Sequence, residues 1–145
     1  MGRPKKESAN AMPLDSEFLA DCPYRPEAVL LDEILEVDRD RGLVRARMDT
    51  RPDLPITSFQ RVDPVRHPHH VNGGLLVHLT GMMGFVHAYY VLGLRFRDGW
   101  VGVGALINKA RYPSMAFIGK PLELMLRATN VREGKRKKVV SYDFL

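Results

Sequence analysis

Three histidines, His67, His69 and His70, fall within four residues, and His70 stands two positions ahead of the string Asn72-Gly73-Gly74. An imidazole titrates near neutrality, so it can take a proton from water or return one to a leaving group. Asp63 places a carboxylate in the same stretch and is a second candidate for activating water. Asn72 suits the N-cap of a helix, and the two glycines after it would carry backbone N–H groups that precede the first intrahelical bond. Such groups, helped by the helix dipole, can hold a carbonyl oxygen as it gains negative charge under attack by water. The plainer alternative is that Asn72 does nothing but cap. A metal site is not expected: successive side chains such as His69 and His70 diverge on extended backbone, and no second cluster has ligand spacing.

Residues 72–93 are mostly apolar and read as a buried helix ending near Gly93. Within it His78 shares a face with Leu75, Met82 and Phe85 by three- and four-residue spacing, and could look into a pocket or be hydrogen-bonded in the core. Met82 could line such a pocket or serve as ordinary packing. His87 lies nine residues beyond His78, about half a helical rotation away, and is expected to be structural. Gly74, Gly81, Gly84 and Ala88 would let a sheet approach the helix closely.

The surrounding elements must hold these groups in place. Residues 28–38 and 43–49 flank the turn-forming Asp38-Arg39-Asp40-Arg41-Gly42 and read as a β-hairpin. In its second strand Val44, Ala46 and Met48 share the buried face, with Leu43, Arg45 and Arg47 opposite. Residues 51–71 carry four prolines and the histidines, which makes them a long loop. Three more strand-like runs follow, at 100–112, 122–133 and 137–145, the last two joined by a turn at Glu133-Gly134-Lys135. The order is hairpin, loop, helix and antiparallel meander, an α+β layout with one helix on one sheet. Residues 1–18 read as a flexible basic tail ahead of the domain at 19–145.

The 145 residues suffice for one core, and the 45% hydrophobic and 27% charged fractions are those of an ordinary soluble globular domain. Cys22 is the sole cysteine, which excludes an intrachain disulfide and a cysteine-rich zinc site. The polar start, broken by Pro4 and Pro13, offers no secretory signal, so the cytoplasm is the expected compartment. A membrane span is disfavoured by the histidines and glycines of the helix. The net charge of +5 favours acidic partners. Nucleic acid is disfavoured, because the short Gly2-Arg3-Pro4 arm is not repeated; a phosphorylated cofactor or an acidic carrier protein could meet Arg132, Lys135, Arg136, Lys137 and Lys138 at the last hairpin's tip. No resident cofactor is expected.

Several strings in this order resemble the hotdog fold, and within it 3-hydroxyacyl-acyl-carrier-protein dehydratases. Residues 29–38 look like that family's first strand. Ile107-Asn108-Lys109-Ala110-Arg111-Tyr112, followed by Pro113 and Gly119-Lys120-Pro121-Leu122, is similar to its K-A-R-F strand end and the P-G-D-x-L turn after it. The family's G-H-F-P-G-x-P-x-x-P-G segment corresponds to residues 59–73, two residues longer here. Its catalytic histidine falls near Val62 or Asp63, and His78 stands where it has its acid. Both members of the dehydratase pair are thus replaced.

His70-Val71-Asn72-Gly73-Gly74 is similar instead to the helix start of hotdog acyl-CoA thioesterases. The resemblance implies a curled antiparallel sheet around one long central helix, in a family whose chains usually continue for one more strand after the position of Leu145. It implies a homodimer or higher homo-oligomer and an acyl-CoA or acyl-carrier-protein thioester as substrate. The activity it implies is hydrolysis, with Asp63 or His70 activating water, Gly73 and Gly74 holding the carbonyl, and Asn72 and Met82 also on the substrate. Dehydration with His78 as the acid, and a non-catalytic acyl-binding or interaction module, are the alternatives.

Overall fold

The computed structural model describes residues 12–145. It is an α+β arrangement in which a five-stranded antiparallel sheet, in the order β1-β2-β3-β4-β5, carries one long helix. The strands are β1 (Met12–Pro13), β2 (Glu33–Asp38), β3 (Leu43–Met48), β4 (Leu122–Glu133) and β5 (Lys138–Phe144). The helices are α1 (Ser16–Asp21), α2 (Pro26–Val29) and α3 (Gly73–Tyr90).

The β2–β3 hairpin closes where sequence chemistry places it. Asp38 accepts the Arg41 N–H at 2.9 Å, and Gly42 takes the left-handed φ of 61° that admits glycine without strain. β3 then pairs with β4 from Leu43↔Arg127 to Met48↔Leu122. Val44, Ala46 and Met48 are buried, as the two-residue period requires, and join Leu124 and Leu126 beneath α3. The other face carries charge: Arg45 pairs with Glu36 and Glu123, and Arg47 with Glu33. The β4–β5 hairpin turns at Gly134, whose N–H donates to the Lys137 carbonyl at 2.7 Å.

α3 lays Leu75, Leu79, Met82, Met83, Val86 and His87 against the sheet. It packs on β3 and β4, the middle of the sheet. The sheet is not strongly curled, contrary to the expected wrap around the helix. Residues 100–112, which were expected to form a strand, take no part in the sheet. This segment returns along the outside of α3: Phe85 lies 3.1 Å from where a Cβ on Gly102 would stand, and Tyr112 reaches Gly73. An extended segment lying over a helix has no neighbouring strand to accept its backbone hydrogen bonds, so it adds nothing to the sheet.

Other expectations are corrected near the chain's start. Residues 12–18, read as tail, belong to the fold: Met12 pairs with Ile34, and Phe18 is buried against Tyr89 and Tyr90. The rest of the expected tail lies outside the described residues. The first strand begins at Glu33 rather than Ala28, because Pro26 opens a turn of helix and Leu30, at φ 64°, ends it. The glycines of α3 do not seat it on the sheet either. Gly81 and Gly84 have nothing within 4 Å of a Cβ position, since the large side chains, not the small ones, face the sheet. Among the described residues no helix is long and apolar enough to cross a membrane.

Candidate functional site

The start of α3 is built as the sequence indicates. Asn72 is the N-cap, with extended φ and ψ, and its Oδ1 accepts the Leu75 N–H at 2.8 Å. Leu75 and Leu76 also donate to the Asn72 carbonyl. The N–H groups of Gly73 and Gly74 precede these bonds and point out of the helix end, as first-turn donors do. Tyr112 stands over them: its hydroxyl donates to the Gly73 carbonyl at 3.4 Å, and its ring lies 3.5 Å from where a Cβ on Gly73 would be. Sequence reasoning did not single out Tyr112, which sits forty residues downstream in a run read as strand; no local pattern signals that contact.

The loop ahead of α3 is pinned at its base. Leu54 and Thr57 are buried, and the Gln60 side chain clamps His70, accepting its N–H at 3.2 Å and donating to its carbonyl at 2.9 Å. Val71 N–H then donates to the Ala116 carbonyl, which fixes the approach to Asn72.

Within this frame the histidines take separate tasks. Each of four rings meets a backbone carbonyl, which can only accept, so the ring nitrogen facing it carries the proton. His67 donates from Nδ1 to Arg61, His69 from Nε2 to Thr57, His70 from Nδ1 to Pro68 at 2.6 Å, and His78 from Nε2 to Ala28 at 2.7 Å. The anchored Nδ1 of His70 leaves the proton-accepting lone pair on Nε2, the tautomer a general base needs. His67 and His70 meet edge to face at 5.1 Å. Among the described residues no three metal-ligating side chains cluster.

Asp63 is the residue of the expected site whose chemistry is most changed by its surroundings. One carboxylate oxygen accepts the N–H groups of Val65 and Arg66, and the other meets the Arg66 guanidinium at 3.1 Å. Hydrogen bonds from the Arg66 and Val65 backbone, then from the Arg66 side chain, hold its carboxyl below the usual carboxylate range. A carboxylate so stabilised is a weak base; here it shapes the turn between Asp63 and His67.

His78 lies against Tyr24 and the α2 turn, away from the sheet, and Met82 is buried among core residues. Asn72, Gly73, Gly74 and Tyr112 thus meet at the start of α3, and His70 and Asp63 lie in the loop that leads into it, where the His70 ring contacts Pro68 and His67. It does not bring His78 or Met82 into that group as open surfaces. The chain matches no known family model and no curated protein.

Proposed function

We propose that this chain is an acyl thioester hydrolase of the hotdog type, acting on an acyl-CoA or acyl-carrier-protein thioester. The observation that carries the reading is the start of α3, where the N–H groups of Gly73 and Gly74 have no hydrogen-bond partner among the described residues and follow His70, anchored through Nδ1. The N–H groups of Gly73 and Gly74 hold the thioester carbonyl and stabilise the oxyanion that water creates, an effect worth about 3 kcal/mol per donor in other enzymes. Of the two candidates, His70 rather than Asp63 takes the proton from water and returns it to the thiolate as the C–S bond breaks. An α+β layout with one long apolar helix on an antiparallel sheet supports the hotdog assignment.

The active species in this reading is a homodimer. Residues 100–112 carry several apolar side chains, yet Val101 is 64%, Val103 83% and Leu106 79% exposed. An apolar, unpaired extended segment is a template for another strand. Pairing it with a second copy would hide these side chains and place the partner beside Tyr112 and the start of α3. Sedimentation at micromolar concentration should give about twice 16.5 kDa.

The engaged Asp63 favours a second reading, an acyl-binding module without turnover. Dehydration is disfavoured because the His78 imidazole is already donated to Ala28. Incubation with a panel of acyl-CoAs, following free thiol, separates them: thiol release supports hydrolysis, and saturable binding without release supports the second reading. Hydration of an enoyl thioester, followed in the ultraviolet, would revive the dehydratase.

A further inference from the structure

The β4–β5 hairpin runs on beyond the rest of the sheet. β4 keeps to β3 as far as Arg127 beside Leu43, and the Ala128 N–H donating to the Gly42 carbonyl is the last bond on that side. β5 alone accompanies it from there to Glu133 beside Lys138. At about 3.3 Å per residue, the stretch from Ala128 to Gly134 carries this two-stranded ribbon roughly 20 Å past β3. The Gly134 N–H donates to the Lys137 carbonyl at 2.7 Å, which leaves Lys135 and Arg136 at the apex. Residues 132–137 are all exposed.

Charge is concentrated on this overhang. Residues 132–138 hold five basic side chains, Arg132, Lys135, Arg136, Lys137 and Lys138, against the single carboxylate of Glu133, so most of the chain's net charge of +5 sits here. Glu133 is taken by Lys138, whose Nζ lies 2.9 Å from it and 5.9 Å from the centre of the Trp100 ring. Arg132, Lys135, Arg136 and Lys137 have no ion pair among the described residues. At the ribbon's base Asp38 and Asp40 match Arg39 and Arg41, and Asp143 pairs with Arg127, so those residues add no net charge. Four unneutralised cations around one short turn repel one another, a cost that a dense anion removes.

The make-up of the tip narrows the anion. Residues 132–138 contain no apolar side chain, whereas protein interfaces centre on aromatic and aliphatic anchors and membrane-inserting surfaces need apolar ones. A partner held by charge alone fits, and the backbone of a B-form duplex supplies one phosphate charge every ~1.7 Å along its axis. A two-stranded ribbon enters the major groove of that duplex, about 12 Å wide, between its two phosphate rows. The side-chain alternation suits this: Arg132 projects from one face and Lys138 from the other, with Lys135 and Arg136 ahead of both. We infer that the tip of the β4–β5 hairpin binds duplex DNA through its phosphates, without reading its sequence. The expectation against nucleic acid came from the chain's first residues alone, whereas the overhang and its charge belong to the folded sheet.

The inference does not depend on the hydrolase reading. It is tested by fluorescence anisotropy of short labelled duplexes of unrelated sequence, titrated with the full chain over a series of salt concentrations. Affinity should not depend on the duplex chosen, and log K should fall against log[salt] with a slope of roughly −3 to −4, since each neutralised phosphate contributes about −0.9. Lys135→Ala with Arg136→Ala should weaken binding at least tenfold and bring the slope to roughly −2. Lys109→Ala with Arg111→Ala removes the same charge from exposed positions elsewhere and should leave the slope unchanged. Vesicles containing phosphatidylserine should bind more weakly than the duplexes. No binding at low salt, an unchanged slope in the tip variant, an equal loss in both variants, or tighter binding to the vesicles would overturn it.

Discussion

α3 and residues 100–112 draw on the same apolar residue types and meet opposite fates. α3 is apolar nearly all round, and the side that meets β3 and β4 is covered, so Leu79, Met83 and Val86 lose all contact with water. In residues 100–112, Val101, Val103 and Ile107 share one side of a strand's two-residue period, and they stay exposed with no strand alongside among the described residues. Hydrophobicity alone therefore does not bury a segment. A surface must be available to cover it, and where that surface is missing the segment is left for another chain.

The largest expected effect lies on the buried side of this contrast. Met83→Ala should destabilise the fold by about 2–5 kcal/mol, the usual range for emptying a packed position, as read from urea unfolding. Next is the polar pair under the same helix. Tyr142→Phe leaves the buried Nδ1 of His87 without its donor and should cost about 1–3 kcal/mol. The pair also predicts a pH dependence. Burial depresses the His87 pKa below its ordinary 6.5, so its contribution to stability is complete above pH 6.5 and is lost as pH falls through the depressed value. The acid limb of the stability profile should be shallower in His87→Gln.

At the other end of the helix, Asn72→Ala removes the cap on Leu75 and should cost about 1 kcal/mol. The smallest effect on the monomer sharpens the comparison most. Val103→Lys with Leu106→Lys should change monomer stability by no more than about 0.5 kcal/mol, as exposed positions do, while abolishing the dimer in sedimentation. A large loss of stability in the monomer would mean that residues 100–112 pack within their own chain.

Local signals in the sequence were legible where the chemistry was local. Asn72 before two glycines, Asp38 to Gly42, and the alternation at Val44, Ala46 and Met48 each specify a cap, a turn or a face within a few residues. What depended on distant partners was not legible. Leu30 adopts a left-handed conformation that no leucine advertises. Tyr112 over Gly73, His78 on Ala28 and Phe18 under the aromatic end of α3 are meetings decided by tertiary packing. Asp63 read as a candidate base, yet Arg66 and the turn amides take up its charge; the Asx turn was present in the spacing, but the residue's ordinary chemistry drew attention first. Residues 100–112 read as a strand-like run, and such a run says nothing about whether a neighbouring strand exists.

The catalytic claim rests on backbone donors, and one substitution removes a donor while keeping the helix. Gly73 occupies the first helical position, where proline is well accommodated, and Asn72 already has the extended φ and ψ that a following proline requires. Gly73→Pro therefore deletes the N–H, whereas Gly73→Ala keeps it and meets Tyr112 only at ordinary contact distance. Thiol release from an acyl-CoA by the full chain should fall in kcat by about 10²–10³ in Gly73→Pro, as for loss of one oxyanion donor, and remain near the parental rate in Gly73→Ala. Equal turnover by Gly73→Pro, with the fold intact, would contradict the account.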